Sequence, residues 1–185
     1  MFAFGATQLS DRRLLGAIGK IAGLLGILCA LAGCAGYQLG PTNGVVAGSK
    51  SVQINIFKNE LLEPRLSESV ATALRRFVQQ DGTYLLDTHQ DGDLIVNGSM
   101  TKLDRSALSY QPGDVLTPRD YNLTLIAKVV ITEARSDKVI FDGTVNGRTT
   151  IRAGSDLVAA ERQAIPLLAE DLARNITSKL VDGTW

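Results

Sequence analysis

The sequence predicts an α+β domain. The expected form is a two-layer sandwich, with two amphipathic helices packed on one face of a mostly antiparallel sheet of four to five strands, in the order β-α-β-β-β-β-α. Three observations predict it. Residues 121–132 alternate: Tyr121, Leu123, Leu125, Ala127, Val129 and Ile131 share one parity, the signature of a strand with a buried face. Two segments, one after Pro64 and one after Asp156, carry apolar residues at helical spacing. These segments run strand, helix, a meander of strands, helix, so both helices have a single sheet face to cover.

Residues 51–57 open the domain. Val52, Ile54 and Ile56 alternate with Gln53 and Asn55, a half-buried strand. Lys58, Asn59 and Glu60 are expected to turn out of it. Pro64 suits the first position of a helix. Leu66, Val70, Leu74, Phe77 and Val78 form the helix's apolar stripe, opposite Glu68, Arg75, Arg76 and Gln79. Asp81-Gly82 stops it. Residues 84–87 read as a short strand, and 89–92 as a turn. Residues 93–103 alternate again, with Leu94, Val96 and Met100 inward and Asn97, Ser99 and Thr101 outward. Residues 106–118 are expected to be loop, because Tyr110-Gln111-Pro112-Gly113-Asp114 has turn chemistry.

Strand 121–132 follows, and Ser136-Asp137 makes a tight hairpin. Residues 139–152 return with Val139, Phe141, Val145 and Ile151 on one face and Asp142, Thr144, Asn146, Arg148, Thr150 and Arg152 on the other. Gly143 and Gly147 mark bulges or close packing. Ser155 or Asp156 can cap the last helix. Its stripe is Leu157, Ala160, Ala164, Leu168, Leu172, Ile176 and Leu180, and Asp182-Gly183 ends it. Pro166 lies inside it and costs about 3 kcal/mol through a lost hydrogen bond, so the helix is expected to bend or divide there. The helices cover the odd-numbered side of the long strands. Thr124, Lys128, Thr144, Asn146, Arg148 and Arg152 are left on a polar face.

Ahead of the domain, Arg12, Arg13 and Lys20 precede an apolar run at 21–31, then small residues and Cys34. This is the order of a secretory signal. Leu31-Ala32-Gly33-Cys34 resembles the bacterial lipobox, in which the cysteine sulfur is acylated (palmitate among the chains) and the signal is cut just before it. The resemblance makes Cys34 the lipid-bearing residue, 1–33 a signal peptide, 34–50 a lipidated flexible tether rich in glycine, and 51–185 the folded domain. The apolar run is 11 residues, short of the roughly 20 that span a bilayer. Cys29 is a poorer acceptor, since Gly26-Ile27-Leu28 lacks the small residues a signal peptidase accepts.

The whole chain carries 19 basic and 19 acidic residues. Loss of 1–33 removes three basic residues and one acidic, leaving 16 against 18 and a net charge of −2. No basic excess points to nucleic acid. One cysteine then remains and no disulfide is expected. His89 is the single histidine and sits in a Thr-His-Gln-Asp-Gly turn, so no Cys/His cluster can build a zinc site, and a Ser-His-Asp arrangement would have to use this turn residue. Asp87, Asp91 and Asp93 lack the following glutamate of a calcium loop. No enzyme, metal or cofactor is expected.

Past Cys34 the chain resembles the LptE family of lipopolysaccharide-assembly lipoproteins. The resemblance is carried by Cys34-Ala35-Gly36-Tyr37-Gln38-Leu39, Ile54-Asn55-Ile56-Phe57-Lys58-Asn59, Glu63-Pro64, Leu74-Arg75-Arg76, Gly98 to Leu103 with Ser109-Tyr110, Tyr121-Asn122-Leu123-Thr124-Leu125, and Leu168-Ala169-Glu170-Asp171-Leu172-Ala173. It implies an outer-membrane lipoprotein on the periplasmic side. Such a protein sits one-to-one inside the lumen of the β-barrel LptD, helps that barrel assemble, and contacts lipopolysaccharide. Ala35 after Cys34 suits outer-membrane sorting. Within that frame Lys128, Arg148 and Arg152 are candidate partners for lipopolysaccharide phosphates, and 106–118 a candidate lumen contact.

Two other classes fit the same pattern. One is a ring-forming assembly lipoprotein of an outer-membrane secretion system, since the strand-helix-strand unit at 51–87 is similar to domains of that group. The other is a small-ligand-binding lipoprotein with a pocket between helices and sheet. A hydrolase would have to use His89.

Overall fold

The computed structural model describes residues 46–182 apart from Leu62, Pro64 and Ser155, with the backbone alone at Val115. The signal, Cys34, the tether up to residue 45, Pro64 as a first helical position, Ser155 as a cap and Gly183 as a terminator all lie outside the described residues.

Six strands and two helices follow in order: β1 (Ser51–Ile54), β2 (Lys58–Asn59), α1 (Leu66–Asp81), β3 (Leu85–Asp87), β4 (Leu94–Gln111), β5 (Asp114–Glu133), β6 (Lys138–Arg152) and α2 (Leu157–Asp182). The sheet order is β3-β1-β4-β5-β6, with β2 against β4. Both helices lie on one face, as the α+β reading requires. The sheet is mixed: β1 runs parallel to β3 and β4, and β2 runs parallel to β4. The two long pairings, β4–β5 and β5–β6, are antiparallel. Alternation within a strand reports burial and is blind to the direction of its neighbour. A helix between β1 and β3 makes the crossover that parallel pairing needs.

The odd parity of β5 is the centre of the core. Leu123, Leu125, Ala127, Val129 and Ile131 are at most 2% exposed. From β4, Leu94, Val96 and Met100 join them, and from the helices Leu66, Val70, Leu74, Leu168, Leu172, Ile176 and Leu180. Thr101 is passed over at a register shift between Met100 and Lys102. Beyond it the inward residues become Leu103, Arg105 and Ala107, opposite Leu125, Leu123 and Tyr121. Two glycines permit close packing. A Cβ on Gly147 would lie 2.5 Å from the Leu172 nitrogen and 2.6 Å from the Leu168 oxygen of α2. One on Gly98 would enter the ring of buried Phe57.

Local chemistry explains the ends. Gly82 takes the left-handed φ of 74° after α1, and its N–H donates to the Val78 carbonyl at 3.2 Å, a glycine C-cap. Asp156 Oδ1 accepts the Ala159 N–H at 3.0 Å, so Asp156 caps α2. α2 is one helix of 26 residues through Pro166, so the division expected there does not occur. Pro166 is exposed, and eight of the nine buried side chains of α2, from Leu168 to Val181, lie beyond it. Packing of that stripe outweighs one missing N–H.

Three segments differ from expectation. β1 stops at Ile54 rather than running to 57, so Ile56 stands in solvent and Phe57 takes the buried place. Lys58 and Asn59 form a strand beside Ser99 and Met100 rather than a turn. The turn comes one step later, with the Leu61 N–H donating to Asn59 Oδ1 at 3.0 Å and Asn59 Nδ2 donating to the Glu63 carbonyl at 2.7 Å. Residues 106–118 are not loop. β4 and β5 continue through them as a hairpin closed by Pro112-Gly113, with Gln111 opposite Asp114. Gly113 has φ 82°, the value a Pro-Gly type II turn needs. The turn chemistry is right and the flanks are strand. They show no alternation because neither face of this arm is covered.

Candidate functional site

The outer face of the sheet carries the even residues of β5 and β6. An amide row begins it at β1, the residue after it, and β4: Gln53 Nε2 donates to Asn55 Oδ1 at 2.9 Å, and Asn55 Nδ2 to Asn97 Oδ1 at 2.8 Å. The register then sets Lys128 opposite Thr144, Thr124 opposite Arg148, and Asp120 opposite Arg152. Lys128, Arg148 and Arg152 therefore share the polar face, as their parity predicts. They form a line and not a cluster. Four residues separate each row from the next, about 13 Å along a strand.

Each has a different setting. Lys128 Nζ lies 3.7 Å from Asp142 Oδ1, both side chains more than half exposed. A solvated pair of this kind contributes little to stability. The backbone N–H of Arg148 donates to Asp171 Oδ2 on α2 at 2.9 Å, and beside it Asn175 Nδ2 donates to the Asn146 carbonyl at 2.8 Å. These two helix side chains occupy part of the free edge of β6. The Arg148 guanidinium has no acid partner among the described residues, which leaves it open to an anion. Arg152 is engaged, its Nε donating to Asp120 Oδ1 at 3.1 Å.

Asp120 is the residue that parity alone does not single out. Its other oxygen accepts the Ser109 hydroxyl at 2.5 Å and Arg119 Nε at 2.9 Å. The carboxylate is 14% exposed. The Ser109 hydroxyl first, then Arg119 and Arg152, hold it far below the usual carboxylate range. Its partners Ser109 and Arg152 are 11 and 32 residues away in sequence. Only the adjacent Arg119 is legible from the chain itself.

Beyond this row the β4–β5 arm projects. Leu108 is 60% exposed, Tyr110 49% and Leu116 87%. Among the described residues Leu116 is the most exposed large apolar side chain.

The helix layer has a surface cleft of about 660 Å³ between the start of α1 and the first half of α2, reaching Arg65, Arg162, Ile165 and Pro166. Under the helices the space against Leu103, Leu123 and Leu168 shrinks to about 20 Å³, which is less than the few hundred Å³ of a ligand pocket. His89 is exposed in its turn, where its N–H and that of Asp91 donate to the two oxygens of Asp87. Among the described residues no group of three or more His, Cys, Asp or Glu is placed to hold a metal. No described helix is long and apolar enough to cross a membrane.

The model of the LptE family, described as lipopolysaccharide-assembly, matches residues 49–180, from the residues before β1 to near the end of α2. The chain belongs to the LptE family. It is thereby a lipoprotein of outer-membrane lipopolysaccharide assembly, a family of assembly proteins and not of enzymes. Among curated protein sequences none matches it. Solved structures resemble it at low identity. The hypothetical protein CT253 from Chlamydia trachomatis has a TM-score of 0.53 at 11% identity, covering 73% of this chain and 96% of that one. A minor lipoprotein from Acinetobacter baumannii has a TM-score of 0.48 at 13% identity, covering 71% and 92%. The rare lipoprotein B from Shewanella oneidensis has 0.39 at 15% identity, covering 69% and 89%. The likeness to the Chlamydia protein is one of fold. In this LptE-family chain Lys128, Arg148 and Arg152 lie on the face that the helices leave bare, and the arm extends from the same strands.

Proposed function

We propose that this LptE-family chain plugs an LptD-type outer-membrane β-barrel in a one-to-one complex, helps it assemble, and contacts lipopolysaccharide as it passes. The observation that carries the reading is the family match across nearly the whole domain. The geometry supports it: one sheet face carries amides, hydroxyls and a line of cations around half-buried Ile126 and Val130, suited to a hydrated lumen wall. In this reading Arg148, with its guanidinium unpaired among the described residues, is the first of the three cations to meet a lipid A or core phosphate. Lys128 would exchange Asp142 for the phosphate. Arg152 keeps Asp120 and serves the arm, which reaches the barrel.

Residues 1–33 are in this reading a signal, Cys34 the acylated residue, and 34–50 the tether that holds the domain on the periplasmic side of the outer membrane. The small-ligand alternative is disfavoured by the space between α2 and the sheet at Leu103, Leu123 and Leu168, which is only about 20 Å³.

The test is an affinity pull-down from detergent-solubilised outer membranes with a C-terminally tagged chain and Cys34 intact. One large β-barrel recovered near one-to-one supports the plug. Recovery of only further copies of this chain selects the ring-forming class instead. Mass spectrometry of the purified chain reads the acyl groups, and Cys34→Ala abolishes them.

A further inference from the structure

We propose that Asp120 is a positioning residue: it fixes the direction in which the β4–β5 arm leaves the sheet, and the barrel partner is engaged only with the arm so held. This rests on the barrel-plug reading above.

The sheet changes character at this row. Arg152, opposite Asp120, ends β6, so three strands become two. Among the described residues, the ion pair that reaches furthest along β4 from the helices joins Arg105 to Glu161, near the start of α2. Past the Asp120 row the arm has two strands and no cover, and a two-stranded hairpin alone is marginally stable in water. Its ladder is irregular as well, with register shifts on either side of Ser109 and again between Tyr110 and Gln111. Pro112 and Pro118 remove two backbone donors from it. A hairpin of this kind would swing about its neck.

Asp120 closes that neck from all three strands. It takes the Ser109 hydroxyl from β4, Arg119 from its own β5, and Arg152 from the end of β6. The Ala153 N–H adds a bond to the Arg119 carbonyl at 2.7 Å, so the backbones are joined at the same row. At the far end Asp114 Oδ1 accepts the N–H groups of Leu116 and Thr117, which shapes the tip without orienting it. The arm's exposed apolar side chains, Leu108, Tyr110 and Leu116, are therefore aimed through one carboxylate.

The experiment compares the full lipidated chain with Asp120→Asn by amide hydrogen exchange and by barrel pull-down. Exchange in 107–119 is expected to rise about tenfold through local opening, with the amides of 123–131 unchanged and barrel recovery reduced several-fold. Ser109→Cys with Asp120→Cys then replaces the carboxylate by a cross-strand disulfide, at a pair whose Cα separation of about 5 Å permits one. Restored recovery in the oxidised double variant supports positioning. Unrestored recovery means that Asp120 meets the partner itself, and overturns it. Unchanged arm exchange in Asp120→Asn, or a loosened arm with full recovery, also overturns it. Should Asp120→Asn fail to fold, Ser109→Ala removes one of the three bonds and is read in the same way. If the unmodified chain captures no barrel, the barrel-plug reading fails, and the proposal falls with it whatever the arm exchange shows.

Discussion

The same pair of strands behaves in two ways along its length. From residue 123 to 131, β5 lies in the core beneath α2, and each odd residue is shut from water. From 106 to 119 the same two strands continue as a hairpin with a shifted register, and Leu108, Tyr110 and Leu116 stand in solvent. The backbone is strand in both halves. What differs is whether a helix stripe lies over it: α2 begins only at Leu157, and its Glu161 meets β4 at Arg105. The body is stable because of what it buries. The arm is available for contact because it buries so little.

The sharpest break in this comparison is a pair of truncations. Leu125→Ala is expected to cost about 3 kcal/mol, and Leu116→Ala less than about 0.5 kcal/mol, both by urea denaturation. Equal losses would dissolve the distinction. Next, Gly147→Ala is expected to cost about 1–3 kcal/mol by pressing a methyl into the α2 backbone, while Gly154→Ala, whose Cβ would meet nothing within 4 Å, falls within about 0.5 kcal/mol. Then Asp171→Ala is expected to cost about 1 kcal/mol, by removing the acceptor for the Arg148 N–H at the sheet edge.

The smallest effect depends on pH. The Ser51 backbone N–H, then the Ser51 hydroxyl, with help from Arg135 and Lys50, hold Asp93 below its ordinary range. A carboxylate depressed in the folded state lends stability above its unfolded value of about 4 and loses it as pH falls through the folded value. The Tm advantage of the unmodified chain over Asp93→Asn is therefore expected to be full at pH 7 and to close below about pH 4. An advantage that grew on acidification would reverse the sign and refute the assignment.

Much of the body is legible residue by residue. Val70 and Leu74, Leu123 through Ile131, and Leu168 through Leu180 all announce burial by their period. The polar line Lys128, Arg148, Arg152 follows from parity. The arm is legible only at its turn, where Pro112-Gly113 demands a backbone that Gly113 supplies. Its flanks carry no period, because period is written by burial on one side. Asp120 was hidden for another reason. Its hydroxyl and its second arginine come from strands 11 and 32 residues away, and no local pattern names them. Asp171 and Asn175 have i, i+4 spacing on a polar helix face, but nothing in that spacing says that a sheet edge lies opposite.

By itself the sequence determined both helices, the covered lengths of the long strands and most of their buried faces, since those depend on local backbone preference and on the spacing of apolar groups along one segment. Tertiary structure alone decided that β1 pairs in parallel, that Lys58 and Asn59 join the sheet, that α2 passes through Pro166 unbroken, and that 106–118 stands out as an arm clasped at Asp120. Each of those outcomes is settled by a partner distant in the chain. A residue's hydrophobic period records that something covers it, and not which element does.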